Sequence, residues 1–490
     1  MSEQPAQPSL GANARVMLVS QVARYIIQFG AVAVLSRILT PADFGVYALV
    51  SAVVVIGSVF SDLGLTLSAI RAPELSHRQW SGLFWVNTAL GGVLMVAVMA
   101  LASPIAALMH NPSLTTYLVA VATVFLLGGA SAQYRVALIR AGRYQALGLA
   151  EVVAPVLGVV VTLVVAIFIR GPWPLVIQQI AWAAFLLALS ALAARRVPQR
   201  PRRGSGVRSL VTTGGALGLP LLIESLSNAL APLALGRTQP AAAVGAFSQA
   251  SNIGNIVHLA LGDSLTRVVV PAMSKAEGDE AFVRALHTAR AAYVFSVGVL
   301  VMAVGGLAVP VVTILLGGNW LELTPRLLSI WAVGSFFQGV AFVLYWPLVG
   351  RGLARLQLRI DTPVRVLFIL AVLVGAQVGV EFVAWMFLAT AALRAIAYLA
   401  FVPRALGIGD LSYVRAAMPS LMAPPLVFAA TRATTRLLAD APAVVQGLAG
   451  AGAMAVVVLM CSVVSPTVRA DLRSTRNLVA DVVGLGAGRA

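Results

Sequence analysis

The side chains best able to do chemistry lie inside long apolar runs. Arg24 sits about nine residues into the first run, with Gln21 and Gln28 three and four positions away, so the three share one face of a helix. Glu224 and Asn228 are likewise four apart, and Gln249, Asn252, Asn255 and His258 recur every three residues as a slowly winding polar stripe. A guanidinium stays charged at any accessible pH and can grip two oxygens in a fork, so Arg24 is a candidate phosphate binder. Gln28, Asn228, Gln249 and Asn252 are candidates to line the same substrate site. Glu224 is a candidate for coupling to protons or Na⁺. Each has a structural alternative: Arg24 as partner of Glu224 or of a backbone carbonyl, and the amides and His258 as polar glue between helices.

Enzyme chemistry has no comparable support. The sequence lacks HExxH, GxSxG, Walker and DxD patterns, and His77, His110, His258 and His287 fall on separate segments. The single cysteine, Cys461, lies in a late apolar run and offers neither a disulfide nor a thiolate metal site. No cofactor or metal is implied. With no nucleotide site, energy must come from an ion gradient or from the substrate's own gradient.

What must position these residues is a membrane. Hydrophobic residues make up 60% of the 490 and charged residues 10%, and the mean hydropathy is +0.93, so the usual charged surface of a soluble protein cannot be assembled. The excess of 34 basic over 17 acidic residues sits in short gaps between apolar runs, which argues for an orientation signal and against nucleic acid. The polar first fifteen residues lead into a run too long for a signal-peptide core, which reads as an uncleaved span.

A crossing helix needs ~20 mostly apolar residues. Runs near that length span roughly 16–39, 44–67, 82–108, 114–139, 147–169 and 174–194, then 210–235, 241–270, 291–316, 327–349, 364–380 and 382–402, with two more at 411–433 and 443–464. The expected fold is an all-α polytopic membrane protein of about fourteen helices. It comprises a six-helix lobe (1–194), an Arg-rich flexible linker (195–209), a second six-helix lobe (210–403) and two additional helices with a tail (404–490). Pro419, Pro424, Pro425 and Arg432 make span thirteen the least regular. With both termini cytoplasmic, about 25 basic residues fall inside against about 6 outside, as cytoplasmic retention of Lys and Arg requires. No outer gap is long enough to hold a catalytic domain.

The halves look duplicated. Arg37, Pro41, Gly45 and Tyr47 are answered by Arg237, Pro240, Gly245 and Phe247, Asp62 by Asp263, Pro104 by Pro310, and the Leu138 segment by the Leu348 segment, all at an offset of about 200 residues. Six helices per copy is even, so the copies share one orientation, and transporters built this way bind at the seam. Asp62 and Asp263 read as turn or cap residues. Arg267 and Arg394 read as snorkelling near cytoplasmic ends, and 279–290 as a short helix on the inner surface.

The segments LSRILTPADFGVYALV, SDLGLTLSAIRA, WSGLFWVNTALGG, VVVPAMSKAEGD and LLGGNWLELTPRLL resemble the polysaccharide transport family of the multidrug/oligosaccharidyl-lipid/polysaccharide (MOP) exporter superfamily, nearest its WzxC-like exporters of lipopolysaccharide and exopolysaccharide. The resemblance runs through about span twelve. It implies a flippase of the bacterial inner membrane that moves undecaprenyl-pyrophosphate-linked oligosaccharide by alternating access, working beside a polysaccharide polymerase and chain-length machinery. It also implies that Arg24 and its neighbours face pyrophosphate, and that spans thirteen and fourteen form a groove for the prenyl chain. A cation-coupled multidrug exporter of the same superfamily is the close alternative. A polymerase or ligase of polysaccharide assembly would need a large outer loop. Arg24→Ala is expected to abolish glycan export while the protein remains in the membrane fraction; export at the wild-type rate would remove Arg24 from the site.

Overall fold

The computed structural model describes residues 26–62, 65–72, 75–200, 226, 229–274, 286, 290–407 and 411–483. Among these, every regular element is a helix, and contacts divide the chain into two compact units, Met1–Gly245 and Ala246–Ala490. Eight helices are long and apolar enough to cross a membrane, nine if one bent pair is a single span. Ala241–Ser274, Ala354–Val378 and Leu411–Leu437 are equally long but carry charges such as Asp263, Arg359 and Arg432. Of the expected first span, Ile26–Ile38 is a described helix; most of the seventh, and of the 279–290 surface helix, lies outside the described residues.

In the first unit the motif around Pro41 builds a helix start. Thr40 N and Oγ1 each donate to Asp43 Oδ2 at 2.8 Å, and Asp43 N donates back to Thr40 Oγ1 at 3.3 Å. Pro41 occupies the first helical position, where its missing N–H costs nothing. One turn on, Gly45 lies so close to the Ala241 carbonyl that no Cβ fits, and Gly245 meets the Pro41 carbonyl in the same way. The starts of Pro41–Asp62 and Ala241–Ser274 thus touch backbone to backbone through Gly45 and Gly245, within the first unit. The same device recurs between His77–Leu108 and Thr123–Arg140, where Gly91 abuts the Phe125 carbonyl and Gly129 the Asn87 carbonyl. Small residues permit such close approach in lipid, where dispersion takes over from the hydrophobic effect as the force between helices. Arg140 caps Leu65–Arg71 by donating to the carbonyls of Ala69 at 3.1 Å and Ala72 at 2.6 Å.

In the second unit Thr324–Gly350 is flanked by Ser296–Gly306 and Val380–Ala405. Trp331 stacks on Phe387 at 4.0 Å, and Tyr293, Trp346 and Tyr398 are fully buried.

The expected ninth span, 291–316, is not one straight helix. It opens with a π-helical turn, Ala291–Phe295, runs as Ser296–Gly306 and then bends by 80° into Ala308–Leu315. The physical reason is Pro310, which lacks the N–H that would bond the Gly306 carbonyl, next to two flexible glycines. The carbonyls at the bend find other donors: Ser329 Oγ reaches Gly305 O at 2.9 Å, and Thr435 Oγ1 reaches Gly306 O at 3.2 Å. Span thirteen, by contrast, is a single helix, Leu411–Leu437, despite three prolines, with Pro424 packed against Gly298.

The tail beyond 464 also forms a helix, Pro466–Val483. Val468 and Asp471 are buried on one side while Arg469 and Arg473 are exposed on the other. Asp471 accepts from Ser420 Oγ and pairs with Arg290 at 3.3 Å, and Thr475 meets Ser296 at 2.9 Å.

The paired glycines give a direct test. Gly45→Ala and Gly245→Ala should each destabilise the detergent-solubilised protein by about 1 to 3 kcal/mol through overpacking. Gly128→Ala, whose Cβ would meet nothing within 4 Å, should leave the melting temperature unchanged or raise it.

Candidate functional site

The expected site residues fall into three groups. Arg24, Glu224 and Asn228 lie outside the described residues. Gln28 is exposed on the Ile26–Ile38 helix, Asn252 is exposed on Ala241–Ser274, and Gln249 is buried one turn before it. The rest of the stripe is engaged between helices. Asn255 Oδ1 accepts from Ser335 at 3.2 Å, and a 2.8 Å hydrogen bond joins His258 Nδ1 to Tyr293 OH, with Phe342 beside the imidazole. The stripe therefore divides into an outward amide, Asn252, and two residues acting as interhelical ties.

The strongest polar constellation in the second unit involves a residue that sequence reasoning did not single out. Arg394 grips Asp361 in a fork, Nε to Oδ1 at 2.8 Å and Nη2 to Oδ2 at 3.2 Å. Tyr398 OH donates to the same Oδ1 at 3.0 Å, and Gln357 approaches Oδ2 at 3.5 Å. The guanidinium also lies 5.4 Å from the Tyr398 ring centre. Arg394 thus does not snorkel. It stands eleven residues before the end of Val380–Ala405, its side chain is 24% exposed, and its charge is met by a carboxylate 15% exposed. Geometry of this kind is what lets an ion pair survive outside water, because both oxygens of the acid accept hydrogen bonds and one edge of the base is matched to them. The signal was an acid and a base on successive helices, but Asp361 lies just before the apolar run at 364 and reads from sequence as part of a gap.

A second buried pair, Arg290 with Asp471, ties the π-helical turn to the tail helix. Among the described residues no group of three or more His, Cys, Asp or Glu could hold a metal ion.

Eight or nine apolar helices long enough to cross a membrane, with polar side chains that pair across helices, define a polytopic membrane protein. The chain belongs to the polysaccharide biosynthesis protein family, whose model matches residues 34–325. It is 26% identical over 357 residues, 71% of each chain, to the lipopolysaccharide biosynthesis protein WzxC of Escherichia coli K12. Its fold is similar to that of the lipid II flippase MurJ in an inward closed conformation, with a TM-score of 0.67 at 9% identity over 90% of this chain and 97% of the other. It is also similar to a multidrug resistance MATE family transporter of the MOP superfamily, at 0.56 and 15% identity over 81% and 98%. These neighbours in fold are transporters, not enzymes.

The fork carries a prediction. Asp361→Ala or Arg394→Ala leaves one charge buried and alone, which costs on the order of 3 kcal/mol. Removing both with Asp361→Asn and Arg394→Gln should recover most of that loss, read as the midpoint of thermal unfolding in detergent. Equal losses in the single and double variants would contradict this reading.

Proposed function

We propose that the protein is a flippase that moves undecaprenyl-pyrophosphate-linked oligosaccharide units across the bacterial inner membrane for polysaccharide assembly, with both termini cytoplasmic. The observation that carries the reading is the family match over 34–325 together with a MurJ-like fold over 90% of the chain, since MurJ is a flippase of lipid II. WzxC, the relative, acts in lipopolysaccharide biosynthesis. The Leu411–Leu437 and Ala443–Val464 helices pack on Ser296–Gly306 and on the bent helix after it. They support a lipid-linked cargo as candidates to hold the prenyl chain.

In the proposed cycle Arg24 receives the pyrophosphate by bidentate hydrogen bonding, and Gln28, Asn228, Gln249 and Asn252 offer amides to sugar hydroxyls. The exposure of Gln28 and Asn252 supports that role for those two, whereas buried Gln249 would act only after a rearrangement. Transport proceeds by alternating access, and Glu224 couples it to protons or Na⁺. The polymerase and chain-length machinery of the same pathway would take up the product. A multidrug exporter is the weaker reading, because the MATE neighbour is less similar in fold and the second unit's carboxylates Asp361, Glu381 and Asp471 are engaged by Arg394, Arg326 and Arg290.

Deletion of the gene should trap undecaprenyl-linked repeat units on the inner leaflet, detected as lipid-extractable glycan inaccessible to periplasmic enzymes. Normal surface polysaccharide and no trapped intermediate would overturn the proposal.

A further inference from the structure

The segment joining the halves reads from sequence as a flexible linker, yet its first residues are fixed. Trp173–Ala194 ends at Arg195, which adopts the left-handed conformation (φ 49°) and donates its N–H to Ala191 O at 3.2 Å. The chain then runs back across the end of His77–Leu108. Trp85 Nε1 donates to Gln199 O at 2.7 Å, and Gln199 N donates to Ser81 Oγ at 3.2 Å. Arg196 lies 5.9 Å from the centre of the Trp80 ring, and Arg143 donates to Ala193 O at 2.8 Å. Arg195, Arg196 and Arg200 are exposed along this short strand of irregular, non-β chain.

Among the described residues no acidic side chain pairs with these three guanidinium groups, and the sequence holds no Asp or Glu between Glu151 and Glu224. The Arg351 to Arg365 region differs, because it contains Asp361. A buried aromatic cluster of Trp80, Phe84 and Tyr134 underlies the strand and gives it a rigid base. A positive loop that serves only as an orientation signal has no need to be pinned in place by an indole and a hydroxyl.

We propose that residues 195–200 form a fixed docking strand for the phosphate headgroups of anionic phospholipids in the adjacent leaflet. The chemistry is charge complementarity between forked donors and phosphodiester oxygens at the membrane surface. Ordinary phospholipid is the occupant because the three exposed arginines directly follow an apolar helix long enough to cross a membrane, Trp173–Ala194, and present separate single-residue contacts. The inference does not rest on the transport reading, and its test involves no transport.

The full chain, purified in detergent with defined amounts of phosphatidylglycerol and phosphatidylethanolamine, is examined by native mass spectrometry for retained lipid. Wild type should prefer phosphatidylglycerol, and the triple variant Arg195→Gln, Arg196→Gln, Arg200→Gln should lose at least about fivefold of that preference. Arg432→Gln with Arg436→Gln, an equal kind of charge removal elsewhere, should not. Trp85→Phe keeps every charge but removes the donor to Gln199, and should weaken the preference partway. An unchanged preference in the triple variant, or an equal loss in the control, overturns the proposal. So does displacement of phosphatidylglycerol from wild type by far less undecaprenyl pyrophosphate, which would assign the strand to the substrate.

Discussion

Loss of water around the helices imposes the constraint on which everything else here depends: a carboxylate, a guanidinium or an orphaned carbonyl inside a bilayer must be met by protein. The second unit meets it repeatedly. Asp361 and Arg394 satisfy one another in a fork that Tyr398 completes. At the 80° bend, the Gly305 and Gly306 carbonyls near Pro310 are met by the hydroxyls of Ser329 and Thr435. Asp471 on the tail helix is received by Arg290 and Ser420. Each tie joins different helices, so it fixes tertiary structure and at the same time satisfies a polar group withdrawn from water.

The second constraint is close approach. In lipid, helices gain little from burying apolar surface against each other, and they associate where small residues bring backbones together. The glycines of the duplicated motif, Gly45 and Gly245, do this at two helix starts. Asp43 of the same motif closes a cap with Thr40. The most recognisable stretch of the sequence is therefore explained by architecture: its Pro starts a helix, its Asp caps it, and its Gly admits a neighbouring backbone.

Much of this was legible beforehand. Long apolar runs gave the helices at 173–194 and 443–464 nearly to the residue and those at 77–108 and 144–168 apart from their polar first turn, because length and hydropathy largely determine a crossing helix. The repeat drew attention to Gly45 and Gly245. Four features were not legible, each for a stated reason. Asp361 escaped notice because its partner is 33 residues away, and no local pattern announces a fork between helices. The bend after Gly306 needed knowledge of which hydroxyls lie nearby, since prolines in Leu411–Leu437 produce no comparable break. The tail helix hid because its buried face, Val468, Asp471, Leu472 and Thr475, mixes polar with apolar residues and so lacks an apolar stripe. The linker's first turn is held by Trp85 and Ser81, 114 and 118 residues distant from Gln199, which composition cannot reveal. Of the proposed substrate residues, the sequence supplied types and spacing, and the structure adds that Gln28 and Asn252 are accessible while Asn255 and His258 are occupied as ties.

The central claim is that this helical body carries a lipid-linked oligosaccharide from one leaflet to the other. The most direct measurement reconstitutes the purified protein in liposomes containing undecaprenyl pyrophosphate bearing a fluorescently labelled oligosaccharide, and follows the fraction of label that an impermeant quencher can reach. With an ion gradient imposed, label should redistribute between leaflets far faster than in protein-free liposomes. Redistribution no faster than in empty liposomes, with the protein folded and inserted, would contradict the account.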